Sequence, residues 1–286
     1  MKGLATLEIK APAKINLFLR ITGRRANGYH DLQSVFQFLS LCDDVSLTLR
    51  RDAQVVRTTE VPGVSAASDL MVRAATALQR ASACGQGVDI AVQKRIPMGG
   101  GLGGGSSDAA SVLLGLNVLW GLHWPLERLA EIGLALGADV PVFVRGRAAW
   151  AEGVGEKLKP IDVEEAAVIL ALPDVSVSTA EVFGAQELTR TSIPLTISGF
   201  PLVNSCHRMR DLMCAGNVCE PVVFKRYPAV ARCFAWLSQY GPARMTGTGA
   251  ACFAVSQERP NIQGSEPWQM HAVRSLNRSP ALKVLD

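Results

Sequence analysis

Apolar and polar residues alternate over 7–10 and again over 15–20, the two-residue period of half-buried strands. Ala11-Pro12-Ala13 reads as a break between the two. Lys14 and Asn16 lie two apart and share one strand face, with Leu17 and Leu19 on the other. Polar residues so placed read as solvent-facing by default. Further strands are predicted over 35–39, 45–49 and 88–92. Helical spacing takes over at 68–83, which opens with Ser68-Asp69 and puts Leu70, Ala74, Ala77 and Leu78 on one side.

Residues 109–120 are apolar almost all round, the mark of a buried helix. Pro125 opens another, with Leu126, Leu129, Ile132 and Leu136 as its inner stripe and Gly137 as its stop. The apolar run 138–144 reads as a strand holding one acid, Asp139. Such a carboxylate is either a cap or turn residue or one kept for chemistry. The pattern then pauses over 148–155, Pro160 breaks it, and a second unit starts with a strand over 167–172. A short helix over 179–188, helical stretches over 207–213 and 229–240, and a strand over 252–255 follow. Beyond Gln257 the tail is weakly patterned, with a helix expected over 268–276.

Glycine interrupts this pattern twice. Six of the fourteen residues from Pro97 to Ala110 are glycine, and the run lies between the strand at 88–92 and the apolar helix. A glycine-rich loop feeding a helix start brings free N–H groups and a positive dipole end to an anion. Gly99-x-Gly101-x-x-Gly104 is weak by itself, since a linker or tight turn also accounts for a glycine run. The flanking strand and helix favour a phosphate cradle. The second loop, Arg244-Met-Thr-Gly-Thr-Gly249, also runs into a strand. Asn27-Gly28 marks a turn, and Tyr29 and His30 follow at its exit, where ordinary surface packing accounts for them.

Composition narrows the classes. A chain of 286 residues can bury a large core as one or two domains. A net charge of +4 with 6% aromatic residues gives no platform for nucleic acid. The seven cysteines include no C-x-x-C pair, so buried free thiols in a reducing compartment are expected, with no zinc site and no disulfide framework. Charged Glu8, Lys10 and Lys14 interrupt the N-terminal apolar runs, and no run is long enough to span a bilayer, so a cytoplasmic location is expected. No Gly-Lys pair, H-R-D, D-F-G or G-x-S-x-G occurs. A Walker P-loop, a protein kinase and an α/β-hydrolase are thereby excluded. A dinucleotide fold fits poorly, because the glycine run follows about 95 residues of other structure and lacks the acid about 20 residues on.

Three stretches in order, Ala11-Pro-Ala-Lys-Ile-Asn16, Pro97-Met-Gly-Gly-Gly-Leu-Gly-Gly-Gly-Ser-Ser107 and Thr246-Gly-Thr-Gly-Ala250, resemble the three motifs of the GHMP small-molecule kinases. Gly28-Tyr-His-Asp-Leu32, Leu136-Gly-Ala-Asp-Val-Pro-Val-Phe143 and Ala151-Glu-Gly-Val-Gly-Glu156 resemble the branch whose acceptor is a cytidine diphosphate-linked polyol. The resemblance covers about residues 10–256. It implies an α+β, two-domain fold, with an N-terminal β-α domain over 1–157 that carries the ATP loop and a C-terminal ferredoxin-like α/β sandwich over 158–286.

The resemblance also implies transfer of the γ-phosphoryl of ATP to a substrate hydroxyl, with Mg2+ and no prosthetic group. The partners it implies are ATP and the nucleotide-linked polyol, with neither nucleic acid nor membrane. Pro97, Met98, Gly99, Gly100, Gly101, Leu102, Gly103, Gly104, Gly105, Ser106 and Ser107 would wrap the ATP phosphates. Asp139 would be the general base and Lys14 its cationic partner. Asn16, Tyr29, His30, Thr179 and Phe183 would contact the cytidine diphosphate end, and Thr246, Gly247, Thr248 and Gly249 form the third motif. No protein side-chain set for a metal emerges, with Ser107 a candidate at most. Another acceptor (homoserine, mevalonate or a sugar) and a non-catalytic nucleotide sensor are the alternatives. Asp108 suits the helix dipole but would repel phosphate if it faced the loop.

Overall fold

The computed structural model describes residues 4–26, 28–256 and 267–286. Asn27 of the turn signal and the tail stretch 257–266 lie outside the described residues. Two long antiparallel strands, β1 (Thr6–Arg24) and β2 (His30–Leu49), form the spine. Ala11-Pro12-Ala13 does not break β1 as expected; instead the register with β2 slips between Pro12 and Lys14. A bulge is where a strand tolerates proline, because the missing N–H falls where the ladder is already interrupted. The strands expected at 35–39 and 45–49 are likewise one strand.

The first half continues with β3 (Val55–Arg57), α1 (Leu70–Ser82), β4 (Val88–Gln93), α2 (Gly104–Leu119), α3 (Leu126–Leu134), α4 (Val140–Arg145), β5 (Ala149–Glu152) and β6 (Lys157–Pro160). The second holds β7 (Ala167–Pro173), α5 (Thr179–Gly184), β8 (Leu202–Val203), β9 (Cys206–His207), α6 (Met209–Met213), α7 (Glu220–Arg226), α8 (Pro228–Leu237), β10 (Ala243–Met245), β11 (Cys252–Ser256) and β12 (Trp268–Leu276). The result is an α+β fold in which one sheet runs β10-β11-β7-β12-β2-β4-β3. β1 and β5 also pair with β2, and β6 with β5. Within the second half the order β10-β11-β7-β12 and its antiparallel pairing are those of a ferredoxin-like sheet.

Four expected elements differ. The run at 138–144 is helical from Val140, since a short all-apolar run has no period to read and Pro141 in the first turn suits a helix start. The tail segment Trp268–Leu276 is a strand, because pairing with β7 and β2, far away in sequence, overrides its local pattern. α2 starts at Gly104, five residues before the apolar stripe, so Ser106, Ser107 and Asp108 lie in its first turns. α5 stops at Gly184.

α1, α2 and α4 cover the sheet face carrying Phe38, Leu47 and Ile90. α7 and α8 cover Ile169, Cys252 and Ala254 of the second half. All seven cysteines are free, but the expected burial holds for Cys42, Cys219, Cys233 and Cys252 only. Cys84 and Cys206 are half-buried and Cys214 is exposed. Among the described residues no helix is long and apolar enough to cross a membrane.

Candidate active site

Lys14 and Asn16 are buried, against the solvent-facing expectation, at 3% and 4% exposed, because the glycine loop and the third-motif loop pack over their face of β1. Lys14 Nζ donates to Asn16 Oδ1 at 2.6 Å and lies 3.4 Å from Asp139 Oδ2. The ammonium also sits 5.2 Å from the centre of the Phe36 ring. Asn16 Nδ2 donates to Ser34 Oγ at 2.8 Å, which fixes the amide against β2. Asp139 immediately precedes α4, yet its side chain makes no cap hydrogen bond. Asp139 sits in the turn that leads into α4, and its carboxylate faces Lys14.

The glycine loop closes on the same point. Lys14 N donates to Leu102 O at 2.9 Å, and Ala251 N to Gly100 O at 3.2 Å. Gly103 has φ +73°, and a Cβ there would stand 2.8 Å from Phe143 Cζ and 3.2 Å from Lys14 Cγ. At Gly101, φ +74°, a Cβ would meet Thr246 O at 2.7 Å. Only glycine lets the three segments approach this closely. The third-motif loop is held in turn by Asn16 N, donating to Thr246 Oγ1 at 3.0 Å, and by Asn217 Nδ2, donating to Gly247 O at 2.8 Å.

A cavity of ≈ 430 Å³ opens there, lined by Lys14, Asn16, Gly101, Gly103, Ser106, Asp139, Thr179, Phe183, Gly247 and Thr248 among others. A second, ≈ 600 Å³, is lined by Tyr29, His30 and Gly184. The two share Leu32, Ala138, Val154, Thr179 and Phe183, so they form one continuous cleft. The His30 and Phe183 rings stack at 5.3 Å and 19°. Tyr29 is 63% exposed at the rim. Thr179 and Thr248 share a hydrogen bond of 2.9 Å that ties α5 to the third-motif loop. Pro97 and Met98 stand apart, lining a separate groove with Asp174 and Ser176. Leu102 and Ser107 are buried, Gly99, Gly100, Gly104, Gly105 and Gly249 do not line the cleft, and Thr246 lies behind it.

The GHMP kinase N-terminal domain family matches residues 69–147 and the GHMP kinase C-terminal family residues 202–264. The 4-diphosphocytidyl-2-C-methyl-D-erythritol kinase of Halorhodospira halophila is 51% identical over 280 residues, 94% of this chain and 93% of the relative. This chain belongs to the GHMP kinases. The enzyme of the same name from Nitrosococcus oceani is 52% identical over 96% of this chain and 97% of its own. A crystal structure of 4-(cytidine 5'-diphospho)-2C-methyl-D-erythritol kinase superposes with TM-score 0.76 at 30% identity, covering 94% of this chain and 99% of that one. A mevalonate kinase structure shares the fold at 14% identity, with TM-score 0.68, over 95% of this chain and 100% of its own.

Several groups behind this GHMP kinase's cleft, lining neither part of it, carry no sequence motif of their own. Lys94 Nζ donates to Asp43 Oδ2 at 2.5 Å and to Asp108 Oδ2 at 2.6 Å. Asp43 also accepts from Arg95 N at 2.5 Å and Ile96 N at 2.8 Å. Asp108 therefore faces a lysine, and the feared clash with phosphate does not arise. Its carboxyl stands raised, at about 7: burial raises it most, Lys94 pulls it down and Asp43 raises it. Arg190 Nε donates to His30 Nε2 at 3.3 Å. Burial, then Arg190 and Arg24, push the His30 imidazole below its ordinary value. These contacts join residues far apart in sequence, so no local spacing announces them.

Proposed function

We propose that this kinase transfers the γ-phosphoryl group of ATP to the 2-hydroxyl of 4-diphosphocytidyl-2-C-methyl-D-erythritol, a step of non-mevalonate isoprenoid precursor synthesis in the cytoplasm. The observation that carries this reading is the continuous cleft. It joins the Lys14–Asp139 pair and the glycine loop to a pocket walled by Tyr29, His30 and Phe183. An aromatic wall suits a nucleobase better than a small polyol or amino acid. The relatives of that name match this chain over nearly its whole length.

Asp139 takes the proton from the acceptor hydroxyl as its oxygen bonds to the γ-phosphorus and the bond to the ADP oxygen breaks. The Lys14 ammonium, 3.4 Å from Asp139, stabilises the oxygen as negative charge develops. The loop Pro97–Ser107 and the N-terminus of α2 hold the phosphates through backbone N–H groups, which needs no P-loop lysine. Ser107 Oγ is fully buried with no hydrogen-bond partner among the described residues, which leaves its lone pairs available to a cation. It is the hydroxyl that would hold Mg2+, with substrate phosphates supplying most of the remaining oxygens. Bound Mg2+ neutralises phosphate charge. Among the described residues no group of three or more His, Cys, Asp or Glu is placed to hold a metal ion. Asn16, Thr179, Tyr29, His30 and Phe183 would orient the cytidine diphosphate end. Thr246, Gly247, Thr248 and Gly249 would back the transferring group. Neither a membrane nor nucleic acid is needed.

Asp139→Asn tests the assignment: kcat falls about 10²–10⁴-fold while ATP affinity stays at the wild-type value. Undiminished turnover would remove Asp139 as the base. Cytidine diphosphate should compete with the acceptor. Lack of competition, with homoserine, mevalonate or a sugar phosphorylated instead, would assign another acceptor.

A further inference from the structure

Arg190 lines neither part of the cleft, yet its side chain is bound on almost every side. Nη2 donates to Phe183 O at 3.0 Å and to Ala185 O at 2.5 Å, and Nη1 to Leu188 O at 3.2 Å. These oxygens include the C-terminal carbonyls of α5, which have no partner inside the helix and sit at its negative end. Nε reaches 160 residues back in the chain to His30 Nε2, at the start of β2. One planar fork thus fastens α5, which carries Phe183, to the strand that carries His30. Between them the two rings stand stacked at 5.3 Å. A lysine has no such fork and could satisfy one or two of these acceptors at a time.

We infer that Arg190 is a positioning residue for acceptor binding, holding the His30–Phe183 stack as a rigid wall and selecting the His30 tautomer. The inference rests on the reading of that wall as the nucleotide-binding part of the cleft. A guanidinium has no lone pair to offer, so the Nε2 it donates to must be the unprotonated nitrogen. His30 is then neutral with its proton on Nδ1. The charged groups bearing on it act the same way: Arg190 and Arg24 disfavour the imidazolium, while Asp31 next to it in the chain is taken up by Arg25 at 2.8 Å. A wall set before the ligand arrives spares the ordering of two ring side chains on binding. Removing the clamp should therefore weaken acceptor binding and leave the chemical step alone.

The experiment compares Arg190→Gln and Arg190→Lys with wild type, and includes His30→Ala and Phe183→Ala. In Arg190→Gln the KM for the cytidine diphosphate-linked acceptor rises about ten-fold or more, while kcat and the KM for ATP stay within about two-fold. His30, followed by NMR titration, moves up toward the ordinary imidazole pKa in the same variant. Arg190→Lys keeps the His30 titration low, because the charge remains, but still raises the acceptor KM, because the fork is lost. A wild-type acceptor KM in Arg190→Gln, with His30→Ala and Phe183→Ala both impaired, overturns the role of Arg190. Unimpaired acceptor KM in both alanine variants overturns the reading of the wall instead. If Arg190→Gln does not fold, the lysine variant decides: a wild-type acceptor KM there overturns the inference.

Discussion

At the scale of single residues, the site depends on side chains that are absent as much as on those present. Gly103 sits where a methyl group would meet both Phe143 and Lys14, in a backbone conformation unfavourable to any L side chain. Gly103→Ala should cost about 1–2 kcal/mol from the left-handed backbone alone. It should also displace Lys14, so that kcat falls further than stability does. Thermal unfolding and steady-state rates on the same preparation check this, and a variant with wild-type kcat would show that the close approach is dispensable. Lys14 holds Asn16 and Asp139 together from a buried position, so its face of β1 is the reverse of the solvent-facing expectation. Two polar residues two apart on a strand look the same whether they meet water or a ligand. The glycine loop and the 246–249 loop, packed over that face, decide between those, and packing from so far along the chain is invisible to local spacing.

At the scale of elements, α2 is both the buried centre of the first half and the end of the phosphate loop. Its first turns carry Asp108, which is 3% exposed and whose Oδ1 finds no hydrogen-bond partner among the described residues. With Asp43 and Lys94 it pins the segment entering the glycine loop to β2. Two carboxylates share one ammonium, and the folded pKa of Asp108 lies near 7, above the ordinary 3.8. Between those values the folded protein keeps a proton that the unfolded chain has lost. This group's contribution to stability is therefore complete below about 3.8 and is lost as pH rises through about 7. Asp108→Asn should remove that slope, giving a Tm less dependent on pH between about 5 and 7 than wild type. Calorimetry across that window reads it, and parallel curves for the two proteins would show that Asp108 titrates as an ordinary carboxylate. The helices of α1, α2 and α3 were legible because their apolar stripes or caps are local. α4 and β12 were not, since one has no period and the other takes its form from distant strands.

At the scale of the whole molecule, a single sheet passes through both halves. β12, from the end of the chain, lies between β7 and β2, and Leu19 of β1 bridges to Asn217. We propose the division at 1–157 and 158–286 as one of chain order, its boundary falling after the first residue of β6, with the cleft built from both parts: Lys14, Asp139 and the glycine loop from the first, Thr179, Phe183 and Thr248 from the second. Residues 1–157 expressed alone should then lack the cooperative unfolding transition of the full chain, because β2 loses β12 and the sheet gains an open edge. A sharp transition from residues 1–157 by themselves would show that the first half is stable without its partner. The fold family is legible in the sequence because three motifs occur in order. The sheet that joins the halves is not, because strand order depends on pairings across the whole chain.

What the sequence determines by itself is the chemistry available: two glycine loops, a lysine and an acid without a P-loop lysine, and an aromatic-imidazole pair beside a turn. Those are properties of residue type and short spacing, and they survive without coordinates. What only the tertiary structure decides is which of them meet. Lys14 and Asp139 stand 3.4 Å apart across 125 positions, Asp108 turns to Lys94 and not to the phosphate loop, and Arg190 reaches His30 from outside the cleft. The reason is physical: helix period, caps and turn chemistry act over a few residues, whereas these contacts follow from strand register and from how closely glycine lets segments approach.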